Sequence, residues 1–123
     1  MSISSINADA FIVQIIKDGR VWGIRDKDGF PASTNMSGET AMPFWSSNRR
    51  AQTIIEKVPA YSGFEPEPIE LPEFIDRWLP GLEKDGLYCG LNWTGSRATG
   101  YDLTPAQVLA RITARQALLN SVR

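Results

Sequence analysis

A chain of 123 residues, 42% apolar and 22% charged, can bury one core and is composed like an ordinary globular domain. Its formal net charge of −1 gives no global field for nucleic acid or an anionic membrane, and no stretch approaches the roughly 20 apolar residues of a membrane span. Histidine is absent and cysteine occurs once, at Cys89, which removes the commonest general base, the Ser-His-Asp and Cys-His arrangements, an internal disulfide and a zinc site of ordinary composition.

The opening residues, MSISSINADAF, carry neither a basic n-region nor a continuous apolar stretch, so the expected location is the cytoplasm. Phe11, Ile12, Ile15 and Ile16 recur at helical spacing between Asn7, suited to a cap, and Gly19, suited to a stop. The spacing predicts a helix over 8–17. RVWGIRD, with Val21, Trp22 and Ile24, predicts a strand, and Lys27-Asp28-Gly29 a turn. FPASTNM then reads as the return strand, which Pro31 places toward a sheet edge.

AMPFW is a short strand whose Phe44 and Trp45 face opposite sides, so at least one belongs to the core. Ser46-Ser47-Asn48 supplies a cap for a helix over NRRAQTIIEK. GFEPEPIEL alternates as a strand does, and Pro66 and Pro68 put it at an edge. Pro72 opens a third helix with Phe74, Trp78 and Leu82 on one face and Ile75 and Leu79 beside them. Pro80-Gly81 should kink or end it partway.

LYCGLNWT reads as a central buried strand. Thr104-Pro105-Ala106-Gln107 is a capping box with proline at the first helical position, and Leu103 and Val108 are spaced for a hydrophobic staple. The last helix runs to about Leu119 with Val108, Leu109, Ile112 and Leu119 inward. The predicted fold is α+β, one domain over 1–123: a small, mainly antiparallel sheet with about four helices packed on it.

Two stretches carry candidate binding residues. In MPFWSSNRRA, Trp45, Ser47, Arg49 and Arg50 gather an aromatic, a helix cap and two guanidinium forks. Free helix N–H groups and arginines together attract a phosphate or carboxylate. The plainer reading is a strand-to-helix seam with solvated arginines. In NWTGSRATGYD, Trp93, Arg97 and Tyr101 are residue types favoured at binding hot spots, on what reads as an eleven-residue loop, 92–102. Against this, Trp93 could return to the core. Carboxylates between Glu65 and Glu73 read as a solvated, proline-broken edge, and Cys89 as a small buried hydrophobe. Residues 65–85 carry seven acids against Arg77 and Lys84, whereas 97–123 carry four arginines against Asp102, an asymmetry that suits self-association or a charged partner.

The order VWGIRDKDGF, MPFWSSNRRA, ELPEFIDRWLPGLEKDGLYCGLNW resembles the bacterial domain-of-unknown-function family number 2750. FIDRWLPGLEKDG is the most specific piece, an aromatic helix broken at Pro-Gly that runs into an acidic-Gly turn. The resemblance covers nearly the whole chain and implies a small cytoplasmic bacterial protein; it brings no catalytic or binding residues. The segment with LTPAQV is also loosely similar to domains of the serine-sensitivity enhancer type.

The function expected is a non-catalytic protein-interaction module, accessory or immunity-like, with a protein partner or a second copy of itself. No cofactor, metal, nucleic acid or membrane is called for. The alternative is a small-anion or nucleotide-binding domain using the helix N-terminus at Ser46–Arg50. A third, weaker reading is a carboxylate-dependent hydrolase.

Overall fold

The computed structural model describes residues 2–121. The chain opens with α1 (Ile3–Asp18), capped by Ser2, whose Oγ accepts from Ser5 N. It is ended by Gly19 in the left-handed region at φ 69°. The helix therefore starts five residues ahead of the predicted 8–17, because Ser2 and not Asn7 supplies the cap. β1 (Arg20–Arg25) follows, then a tight turn in which Asp26 and Gly29 exchange two 3.1 Å backbone hydrogen bonds.

Beyond that turn the predicted return strand fails. Phe30 folds back onto Gly23, where a Cβ would stand 2.7 Å from the ring, and its ring meets Trp78 edge-on at 4.8 Å. The segment is thereby pulled off the ladder, and only Ser33–Thr34 (β2) is strand, paired with β3 (Thr40–Phe44) at the edge that Pro31 had suggested. α2 (Asn48–Lys57) comes next, followed by a short 3-10 turn (Pro59–Tyr61) and β4 (Glu65–Glu70).

α3 (Leu71–Glu73), a π-turn (Phe74–Trp78) and α4 (Leu79–Lys84) form one continuous helix. Of the two outcomes expected at Pro80, an end or a kink, the helix does not end there but is distorted just ahead of it. Pro80 has no N–H for the α-ladder, and the wide turn just ahead of it, closed by Leu79 N to Phe74 O, takes up the mismatch. The extra residue also rotates the buried face: Phe74, Leu79 and Leu82 are buried, while Trp78 is only half-buried. β5 (Tyr88–Thr94), β6 (Thr99–Leu103) and α5 (Pro105–Ser121) complete the chain. The capping box at α5 forms as read, with Thr104 N donating to Gln107 Oε1 and Gln107 N to Thr104 Oγ1.

β1 and β4 pair antiparallel, and the second sheet runs β2-β3-β5-β6. Its β3–β5 pairing is parallel, since the long connection over residues 45–87 returns the chain in the same direction. The other pairings are antiparallel, as expected. Trp22 and Trp45 exchange two backbone hydrogen bonds of 2.7 and 2.8 Å and join the two sheets. Because Trp22 spends its backbone groups on Trp45, its neighbour Pro68 on β4 lies in a non-hydrogen-bonded pair, where a missing N–H costs nothing.

The sheet separates two cores. On one side α1, the Leu71–Lys84 helix and α5 bury Phe11, Ile15, Phe44, Phe74, Leu91, Val108 and Ile112. On the other, α2 closes over Ile24, Trp45, Ala51, Ile54 and Trp93. Phe44 and Trp45 thus anchor opposite cores, and both are fully buried. Leu109 and Leu119, expected inward, are instead 40% and 46% exposed, because α5 turns only Pro105, Val108 and Ile112 toward the sheet.

Candidate functional site

The β3-to-α2 seam is fixed by a buried polar hub. Trp45 Nε1 donates to Trp93 O at 2.9 Å, and Ser46 N donates to Asn92 Oδ1 at 2.9 Å. Asn92 Nδ2 donates to Asn7 O and to Ser46 Oγ, each at 3.1 Å, and Ser46 Oγ donates in turn to Gln14 Oε1 at 2.6 Å. One asparagine thereby ties α1, β5 and the seam together. Ser47 Oγ then caps α2 by accepting from Arg50 N at 3.2 Å. Neither Asp nor Glu occupies the first turn of α2; Arg49 is exposed and Arg50 half-buried.

Asn92 also decides where Trp93 goes. Its φ of 51° breaks the β5–β6 register between Leu91 and Thr94. The residue alternation is inverted there, so Leu91 enters the α1 side and Trp93 the α2 side. The indole lies over two glycines: a Cβ at Gly90 would overlap the ring, and one at Gly100 would stand 2.8 Å from its Cδ1. Trp93 Nε1 donates to Asp102 Oδ1 at 2.9 Å. Burial raises the Asp102 carboxyl above its ordinary value, the Trp93 bond partly opposes this, and the Glu39 charge adds to the rise.

The predicted loop 92–102 is therefore mostly ladder. Only residues 95–98 lie between β5 and β6, and Trp93 returns to the core. Tyr101 belongs to the other face of β6. It packs against the α1-side core, and the Arg111 guanidinium lies 5.8 Å from its ring centre. It does not join Trp93 and Arg97.

The segments that carry Arg49, Arg50 and Arg97 leave the sheet at one end of the parallel strand pair. The parallel pairing directs the C-terminal ends of β3 and β5 the same way; α2 begins beyond the first and the 95–98 turn beyond the second. Ala51 of α2 and Ala98 of the turn share one core with Trp45. The ion pairs among the described residues are Arg20–Glu70, Arg25–Glu67 and Arg111–Asp9, and none uses these three arginines. Arg97, but neither Arg49 nor Arg50, lines a half-polar cleft of about 400 Å³ that runs from the β2–β3 turn to β6, with Thr34, Asn35, Trp93 and Asp102.

Ser46, Asn92, Asp102, Gly90 and Gly100 were missed by the sequence reading. The available signal was Asn92 itself, an amide inside an apolar run, a residue type that tolerates the left-handed region. Chemistry is sparse. Among the described residues no group of three or more Cys, Asp or Glu is placed to hold a metal ion. Glu67 and Glu70 are spent in ion pairs along β4. Burial, with the Asp102 charge, pushes the Cys89 thiol up to about 12, so it is no nucleophile. No helix among the described residues is long and apolar enough to cross a membrane.

Residues 8–112 match the model of the family described as a protein of unknown function, DUF2750, and the chain belongs to that family. The match spans both cores, the seam and the Leu71–Lys84 helix. No curated protein matches the chain.

Proposed function

We propose that this chain is a non-catalytic interaction module that takes an acidic protein partner at the C-terminal end of its parallel strand pair. The observation that carries the reading is that the start of α2, with Arg49 and Arg50, and the 95–98 turn, with Arg97, follow the same end of the parallel strand pair, and no carboxylate is paired to these arginines among the described residues. Guanidinium forks of this kind match carboxylates bidentately. The hub of Ser46 and Asn92 holds the seam beneath them, so the arginines project from a fixed base. Capture from native lysate tests it, with wild type set against an Arg49→Glu/Arg50→Glu/Arg97→Glu variant. The expected result is a specific protein retained by wild type, released by added salt and absent with the variant. Identical retention by both refutes it.

A second reading, a site for a small anion or nucleotide, is favoured by one detail. Ser47 caps the Arg50 N–H, while the N–H groups of Asn48 and Arg49 have no side-chain acceptor among the described residues and no acid lies in the first turn of α2. A melting temperature that climbs with inorganic phosphate or a nucleotide in wild type, but not in the triple variant, would select it.

A further inference from the structure

The cleft of about 400 Å³ beside Trp93 has two walls, and each is fixed from within. One is the 95–98 turn. Ala98 N donates to Gly95 O at 3.1 Å, and Ala98 holds a φ of 50°, a left-handed conformation unfavourable to alanine, with its side chain in the α2-side core. That buried methyl anchors the turn that carries Arg97, which is exposed and lines the cleft. The other wall is the β2–β3 turn. Asn35 Oδ1 accepts from Ser37 N at 2.9 Å and from Glu39 N at 3.0 Å, and Asn35 Nδ2 donates to Glu39 Oε1 at 2.9 Å. Neither wall has to order itself around a ligand.

Between the walls Asp102 is half-buried. One of its oxygens accepts from Trp93 Nε1, and the other has no donor among the described residues. The ion pairs among the described residues leave out both Asp102 and Arg97, and the other charge acting on Asp102, that of Glu39, has the same sign. One cleft therefore holds an uncompensated carboxylate on β6 and an uncompensated guanidinium on the turn before it. The strand carries Asp102 about 10 Å beyond Thr99, at about 3.3 Å per residue. The hydroxyls of Ser33 and Thr99, which also line the cleft, make no hydrogen bond among the described residues.

We infer that this cleft binds a short peptide with free ends, about three residues long, its ammonium on Asp102 and its carboxylate on Arg97. An ammonium supplies the donors that the second Asp102 oxygen lacks, and a guanidinium fork takes a carboxylate bidentately. Three extended residues span about 10 Å, the separation that the strand sets. The hydroxyls of Ser33 and Thr99 are left for the amides between the two ends. A sugar would need an open aromatic face, and Trp93 is only 5% exposed. The inference goes beyond the acidic-partner reading and does not rest on it: Arg97 is common to both, whereas Arg49 and Arg50 lie outside the cleft.

Trialanine is the probe, and the indole N–H resonance of Trp93, followed by NMR in nitrogen-15-labelled protein, is the reporter. That resonance should shift and saturate with a Kd of about 1 mM or tighter, the scale of two charge-assisted contacts, while the indole N–H of Trp45 at the seam stays in place. N-acetyl-trialanine and trialanine amide should each bind at least tenfold more weakly. Asp102→Asn, whose amide oxygen can still accept from Trp93 Nε1, should bind trialanine at least tenfold more weakly and no longer distinguish it from the acetylated form. Arg97→Gln, on an exposed position, should do the same for the amidated form. Arg49→Glu/Arg50→Glu should bind trialanine as wild type does, so that failure here and failure of the acidic-partner reading are told apart. The inference is overturned by a Trp93 resonance unmoved at about 20 mM trialanine, or by either blocked peptide binding as tightly as the free one.

Discussion

Replacing Asn92 by alanine removes the acceptor of the Ser46 N–H, which is buried at the seam and has Asn92 Oδ1 as its partner at 2.9 Å. Leaving such a donor unsatisfied costs about 1–3 kcal/mol. Alanine must also hold the φ of 51° that asparagine tolerates, which adds about 1 kcal/mol. Asn7 is only half-buried and lies within α1, so loss of the bond to its carbonyl counts for little. The expected destabilisation is therefore about 3 kcal/mol. Asn92→Gly suffers the same hydrogen-bond loss but accepts the backbone angle, and should be about 1 kcal/mol less damaging than alanine. Urea unfolding followed by tryptophan fluorescence measures both, with stability taken from the midpoint at constant slope. A loss below about 1 kcal/mol for Asn92→Ala would refute the hub. A glycine variant weaker than the alanine one would refute the backbone argument.

Two further predictions concern the titratable groups beside it. The folded Asp102 carboxyl binds its proton more tightly than the unfolded one, so its contribution to stability falls as pH rises from the ordinary carboxylate value through the raised folded value. Asp102→Asn, whose amide oxygen can still accept from Trp93 Nε1, should abolish that acid-range decline and be at least as stable as wild type near neutrality. Parallel urea series across the acid range decide it, and an unchanged pH profile would refute the assignment. Cys89, moved from 9.0 to about 12, holds about a thousandfold less thiolate than an ordinary cysteine. Ellman's reagent should find no reactive thiol in the folded chain and one in urea; rapid labelling of the native protein would contradict its burial.

The elements themselves were largely readable, because their signals are local. The Thr104 capping box, the Gly19 stop and the prolines of the β4 edge act through neighbouring backbone groups. What failed depended on distant partners. Phe30 leaves the ladder for Gly23 and Trp78, and nothing near Phe30 announces that Trp78 will be there. The π-turn re-aims the helix at Leu79 because Pro80 must be accommodated without breaking a packed face. Of the candidate site, the arginines were visible as residue types, but the placing of their segments at one end of the sheet follows from a parallel pairing between strands that sequence does not pair. Asn92 was passed over because its role lies in one dihedral angle and in partners on α1 and the seam.

That parallel pairing also dictates the order in which the chain can fold. β3 borders β5 across the whole of 45–87, and α1 packs against β5, β6 and α5. During synthesis AMPFW emerges with its central edge open and stays open until Thr94 has left the ribosome, while α1 waits longer still for α5. Closure of such distant segments is slow compared with helix formation. Nascent chains of this protein therefore expose an apolar strand to chaperones while residues 45–94 are made, and cooperative folding waits for β5 and α5.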